Sequence, residues 1–135
     1  MKYFSFKEVV RSGNHPDLQA KEIPVDVAEN VRLLAENILD PLREAYGKPI
    51  CVNSWYRPSA LNKAVGGVKN SQHLTGQAVD IRPVRSVELG VRSDEVKRLG
   101  KLIEELKLPF DQLIYEGTWI HVSYGPRHRR QVLYK

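Results

Sequence analysis

His73 and Asp80 stand seven residues apart in SQHLTGQAVDI (71–81), with Gly76 between them, and His121 sits in the apolar run TWIHVSY (118–124). Asp80 lies between Val79 and Ile81 in a segment that reads as a buried strand. A buried carboxylate is costly unless a cation answers it. Arg82, two residues along on the same face, or a basic loop residue would do so as an ordinary salt bridge. A metal ion would do so if further nitrogen or oxygen ligands converge there. Of the four histidines, His15 precedes Pro16 in a polar loop and His128 lies in a basic segment, so both read as solvated. A loop through Gly76 can fold back and bring His73 to Asp80, and His121 arrives from a strand. Either histidine alone would read as a hydrogen-bonded core residue, but the three groups together favour a metal. Two imidazoles and one carboxylate leave a fourth position open. That suits catalytic zinc better than structural zinc, whose sites are closed by four protein ligands, often cysteines.

A hydrolytic metal centre also needs a base near its water and a donor for the developing oxyanion. FDQLIYEGTWIHVSYG (110–125) has two β-rich runs around Gly117-Thr118, a glycine-first pair suited to a two-residue type II′ turn. Pairing Glu116 with Trp119 sets Ile114 opposite His121 and Gln112 opposite Ser123. Side chains alternate along a strand, so Gln112, Ile114 and Glu116 share a face with Trp119, His121 and Ser123. Glu116 is then diagonal to His121, about 7–8 Å away at the backbone, and is the candidate base. Arg57, in the loop after the strand that precedes it, is the candidate oxyanion donor.

Helices and strands must hold these groups in place. Ser5 and Glu8 have capping-box spacing, with Phe4 and Val9 placed as a hydrophobic staple, so a short helix begins there. Asn14, Pro16 and Pro24 break the chain before a longer pattern, Val27, Val31, Leu34, Ile38 and Leu42, which predicts a helix packed on a sheet. Pro41 predicts a kink or restart before the stop at Gly47. KPICVNS (48–54) reads as a short buried strand with Cys51 as an inert buried thiol. The turn-like WYRPS (55–59) follows, then a short helix over 58–64 ended by Gly66-Gly67. Ser93 reads as the cap of a helix with Asp94 and Glu95 in its first turn and Val96, Leu99, Leu102, Ile103 and Leu106 turned inward. Pro109 closes it.

At 135 residues the chain suits one domain, 1–135, without repeats or low-complexity blocks. Its single cysteine allows no internal disulfide. It lacks the run of about 20 apolar residues that spans a membrane, and MKYFSFKEVVRSG lacks a signal peptide's apolar stretch. Synthesis in the cytoplasm without membrane insertion is the expectation. The formal charge of +5 favours an anionic partner, and much of the excess lies in PRHRR (126–130), within a basic tail (125–135) expected to be solvated. No groove-reading helix, RNA-binding signature or aromatic platform accompanies that charge, so nucleic acid is not expected as a partner. Oligomeric state leaves no trace in the sequence.

SWYRP (54–58), N-x-x-V-G-G (62–67), S-x-H-x-x-G-x-A-x-D-I (71–81) and W-I-H-V (119–122) closely resemble the zinc D-alanyl-D-alanine carboxypeptidase family. That family includes D,D-dipeptidases and phage L-alanyl-D-glutamate endopeptidases, and shares its core with the hedgehog signalling domain. The resemblance spans about residues 27–124. It implies an α+β fold, with helices packed on a small, mainly antiparallel sheet, and one zinc ion per chain in an open cleft. It also implies hydrolysis of peptidoglycan stem-peptide bonds, first of the D-Ala-D-Ala carboxypeptidase type and alternatively as an endolysin-like L-Ala-D-Glu endopeptidase. The implied ligands are His73, Asp80 and His121. Arg57 would engage the substrate near the scissile carbonyl, with Ser71 and Trp119 as further substrate contacts. The position three before His121 is Thr118, which cannot serve as a base, so that role falls to Glu116. A rival expectation is a zinc-binding recognition module without catalysis. The implied site of action is the cell wall or periplasm of a bacterium, reached through a phage holin, a phage tail or another export route.

Overall fold

The computed structural model describes residues 1–84 and 93–135. Helix α1 (Phe6–Val9) opens with the expected capping box, Ser5 N–H donating to Glu8 Oε1 at 3.0 Å, and Phe4 and Val9 are both buried. Helix α2 (Val25–Leu34) runs through a π-helical turn, Ala35–Leu39, into α3 (Asp40–Tyr46). The interruption expected at Pro41 therefore takes the form of a widened turn ahead of it. Proline has no N–H for the carbonyl of Asn37 and its ring crowds that carbonyl, and the wider turn relieves both. Val31, Leu34, Ile38 and Leu42 stay buried through the irregularity.

Five strands follow: β1 (Ile50–Ser54), β2 (Ala78–Pro83), β3 (Gln112–Tyr115), β4 (Ile120–Ser123) and β5 (Gln131–Tyr134), in the order β1-β2-β4-β3-β5. Three neighbouring pairs are antiparallel, and β3 with β5 is parallel. The fold is α+β on a mainly antiparallel sheet, as expected. On one face, Val52, Ile81, Ile120, Val122 and Leu113 join Leu34, Ile38, Leu99 and Ile103 of the helices in one core. On the other face, the loop that follows α4 (Ser59–Ala64) and the short turn Gln72–Thr75 line a cleft. Among the described residues, no helix is long and apolar enough to cross a membrane.

Helix α5 (Ser93–Glu105) buries Val96, Leu99 and Ile103 as read. The capping read for the Ser93 side chain lies outside what is described. Leu106 differs from expectation: it is 40% exposed, because the helix has ended and Lys107 turns into left-handed backbone at φ +56°. Cys51 is half-buried rather than buried, since it lies on an edge strand with Arg11 Nη1 4.0 Å from its sulfur.

The segment expected as a solvated tail holds β5 instead. Asp111, fully buried, anchors it by accepting from the Arg129 backbone N–H (3.1 Å), Nε (2.8 Å) and Nη2 (3.1 Å). Arg129 is flanked by His128 and Arg130 at φ +41° and +51°. Such backbone costs of order 1–2 kcal/mol per residue, which the charge-assisted bonds to Asp111 offset. Arg129 holds the Asp111 carboxyl down at about 2, against an ordinary 3.8. A carboxylate more acidic in the folded state stabilises at neutral pH, and its contribution is lost as pH falls from about 4 toward 2. Acid unfolding followed by circular dichroism should therefore begin at a higher pH in Arg129→Ala than in the unmodified protein. Coincident curves would show that the latch carries no stability.

Candidate metal centre

One row of side chains crosses the sheet on the cleft face: Ser54, Asp80, His121, Ile114 and Leu133, each opposite the next. The register of β1 shifts between Val52 and Ser54, which sets Ser54 opposite Asp80. Such a bulge re-aims side chains beside a site. The β3–β4 register is the one expected, with Ile114 opposite His121 and Glu116 N–H donating to Trp119 O at 3.0 Å.

His73 reaches the row from the short turn Gln72–Thr75. Ser71 Oγ accepts the His73 backbone N–H at 3.1 Å, and Gly76 closes the turn at φ +74°. A Cβ on Gly76 would lie 2.9 Å from Val31 Cγ2, so glycine serves both the backbone and the packing. Trp55, fully buried, donates Nε1–H to Gly76 O at 3.1 Å, while its own carbonyl lies 2.7 Å from His73 Nδ1. A carbonyl can only accept, so Nδ1 carries the proton and Nε2 is left with a free lone pair.

That Nε2 is buried and has no hydrogen-bond partner. It points at Asp80 Oδ1, 3.4 Å away, and His121 Nδ1 lies 3.0 Å from the same oxygen. One ligand atom from each residue falls within 4.8 Å of the others. Ligands held tetrahedrally around a zinc ion at about 2.0–2.1 Å stand roughly 3.3–3.4 Å apart, close to the two spacings from Asp80 Oδ1 to the histidine nitrogens. The donors are also borderline nitrogen and hard oxygen, as such an ion prefers. His15 is half-buried and His128 exposed, and neither belongs to the group.

Burial alone would raise the pKa of Asp80, but the hydrogen bond from His121 and the closeness of both imidazoles outweigh that effect and hold the carboxyl well below the ordinary range. Its other oxygen lies 3.5 Å from Arg57 Nη2. The partner expected from sequence proximity, Arg82, reaches sideways instead, donating to Asn53 Oδ1 at 3.0 Å and to the carbonyls of Pro83 and Val84.

Arg57 is fixed on three sides. Nε donates to Ser54 Oγ and Nη1 to Asn62 Oδ1, both at 3.0 Å, besides the contact with Asp80. Burial presses its pKa down, while Asp80 and Glu116 oppose that effect. Asn62 had no assigned role in the sequence reading. It is buried and also donates Nδ2–H to Val68 O at 2.9 Å, tying Arg57 to the loop over the cleft. A Cβ on Gly67 would come within 2.1 Å of Asn62 Oδ1 and 2.8 Å of Arg57 Nη1, so that loop can approach only as glycine. The signal for Asn62 was a polar residue in the short helix SALNKA, whose burial demands partners.

His73, Asp80, His121, Arg57 and Glu116 all line one cleft of about 570 Å³. Beyond Arg57 and Trp119 a second concavity of about 460 Å³ continues past Arg11, Asn14 and Asn53. Trp119 lines both, and its Nε1 is buried without a partner. Ser71 also lines the cleft, with its hydroxyl oxygen engaged by His73 N–H.

Residues 7–123 match the Peptidase M15 family. The chain belongs to this family. No curated protein matches it. Membership makes the protein one of a group of metallopeptidase hydrolases, and the candidate metal group of this M15 peptidase lies within the matched residues. The match stops short of β5, yet Arg127, Leu133 and Lys135 from that end of the M15 chain also line the cleft. Sequence reasoning missed all three, because nothing local shows that the tail returns to the sheet.

Proposed function

We propose that this protein is a zinc-dependent peptidase that hydrolyses peptidoglycan stem-peptide bonds, of the D-Ala-D-Ala carboxypeptidase type, acting at the bacterial cell wall. The observation that carries the proposal is the buried, unpartnered Nε2 of His73, facing Asp80 and His121 in a cleft that also holds Glu116 and Arg57. Zinc held by His73, Asp80 and His121 would supply an acidified water and a polarised carbonyl. Glu116 takes the proton of the attacking water and returns it to the leaving amine, so no covalent intermediate with the protein is needed. Arg57, kept in place by Ser54 and Asn62, donates to the carbonyl oxygen as negative charge grows on it. Trp119 and Ser71 line the groove in which the peptide lies.

An L-Ala-D-Glu endopeptidase is the second reading. It is favoured by the continuation of the groove past Arg57 on the side away from β5, which leaves room for chain on both sides of the cut. Mass spectrometry of defined muropeptides incubated with zinc-loaded and chelated protein tests both. Loss of a terminal D-alanine supports the first reading, and a cut after L-alanine the second. Zinc binding without cleavage of any muropeptide would move a recognition module ahead of both.

A further inference from the structure

The charges along the β5 wall of the cleft do not cancel. Asp80 faces Arg57, and the buried Asp111 is already held by three donors of Arg129, with Gln72 Nε2 at 3.3 Å. Arg127 stands 3.5 Å from Asp111, its side chain is 60% exposed, and its charge is surplus to what that carboxylate needs. Lys135 is exposed and makes no ion pair among the described residues, while its backbone N–H donates to Tyr115 O at 2.9 Å and fixes its position. Continuing the β3–β5 register places it beside Glu116. Among the described residues lining the cleft, the two acids Asp80 and Glu116 are set against three cations, Arg57, Arg127 and Lys135.

Geometry gives the distance. His121, Ile114 and Leu133 lie side by side on three neighbouring strands, so the β5 wall is two strand spacings from the metal group, about 10 Å. An extended peptide covers that in about three residues, at roughly 3.3 Å each. Ile114 and Leu133 offer it an apolar floor between the metal group and the cations.

We propose that Arg127, at the Asp111 end of the β5 wall, and Lys135, at its Glu116 end, make that wall a cationic rim that attracts a carboxylate of the substrate about 10 Å along the peptide from the bond that is cut. The proposal rests on the peptidase reading and narrows it to acidic peptides. In a stem peptide ending in D-Ala-D-Ala, the γ-linked D-glutamate carries a free α-carboxylate at about that remove from the terminal bond.

The test uses L-Ala-γ-D-Glu-L-Lys-D-Ala-D-Ala with its glutamate α-carboxylate either free or amidated, and zinc-loaded protein. The free acid should have a kcat/KM about tenfold higher or more, and that ratio should fall toward one in Arg127→Ala with Lys135→Ala. Equal rates for both peptides in the unmodified protein would overturn the rim while leaving the peptidase intact. A preference accompanied by a cut at the L-Ala–D-Glu bond would also overturn it, because the carboxylate would then lie next to the metal. Calorimetric dissociation constants of both peptides for Glu116→Gln decide the rim without turnover. Tighter binding of the free acid with no cleavage by the unmodified protein supports the rim and sinks the peptidase reading. Equal binding sinks the rim.

Discussion

Glu116→Gln is expected to lower kcat on a susceptible muropeptide by about 10²–10⁴-fold while leaving the zinc content unchanged, because an amide of the same shape cannot accept the proton of the attacking water. The substitution is mild for the fold. Glu116 is half-buried at the start of the hairpin, and the bond that closes the turn there is made by its backbone N–H to Trp119 O. It is not one of the three clustered residues that could hold a metal ion, so that group is left intact. Product release followed by mass spectrometry, with zinc measured in the same sample, separates the two effects. Undiminished turnover would remove Glu116 from the mechanism, and joint loss of zinc and activity would place it among the groups that hold the metal.

Asp80→Ala should be the more damaging change, abolishing activity and reaching beyond the metal. Loss of an outer partner of a ligand costs roughly 10–100-fold in metal affinity, and loss of a ligand should exceed that. The metal-free protein should suffer as well. Asp80 is the acid that answers Arg57, and both side chains are largely buried, at 12% and 13% exposure. Breaking a buried pair by removing one member costs about 3–5 kcal/mol, because the other charge is stranded. Thermal unfolding of chelated Asp80→Ala, set beside chelated unmodified protein, reads that effect apart from the metal. Equal melting temperatures would mean that Arg57 finds another partner, with Glu116 the nearest in charge.

Which residues gather at the candidate site was more legible in the sequence than the structure that holds them there. His73 and Asp80 could be brought together on paper because Gly76 lies between them, and one glycine turn is a local event. The face shared by Glu116, Trp119 and His121 followed from strand alternation and a two-residue turn, again local. Asp80's partner was misread because closeness along the chain favoured Arg82. The bulge in β1 and the length of its side chain deliver Arg57 instead, and neither leaves a periodic mark. The relief at Pro41 was expected, but whether it would be a kink, a restart or a widened turn depends on what the helix packs against. The Asp111–Arg129 latch was invisible for another reason: a parallel pairing of β3 with β5 joins segments whose patterns are each too short to announce it.

That parallel pairing also bears on the order in which the chain assembles. The β3–β4 hairpin can close on a microsecond scale from neighbouring residues, whereas β5 pairs with β3 across a longer stretch of chain and is latched through Asp111. Until it docks, Leu113, Ile114 and Tyr115 present an open, apolar edge of the kind that recruits strands from other molecules. The basic residues around the last strand, Arg127, Arg129, Arg130 and Lys135, would keep incomplete copies apart by mutual repulsion during that interval. Once β5 is seated the same charges flank the new edge of the sheet, so the segment that completes the cleft also discourages self-association.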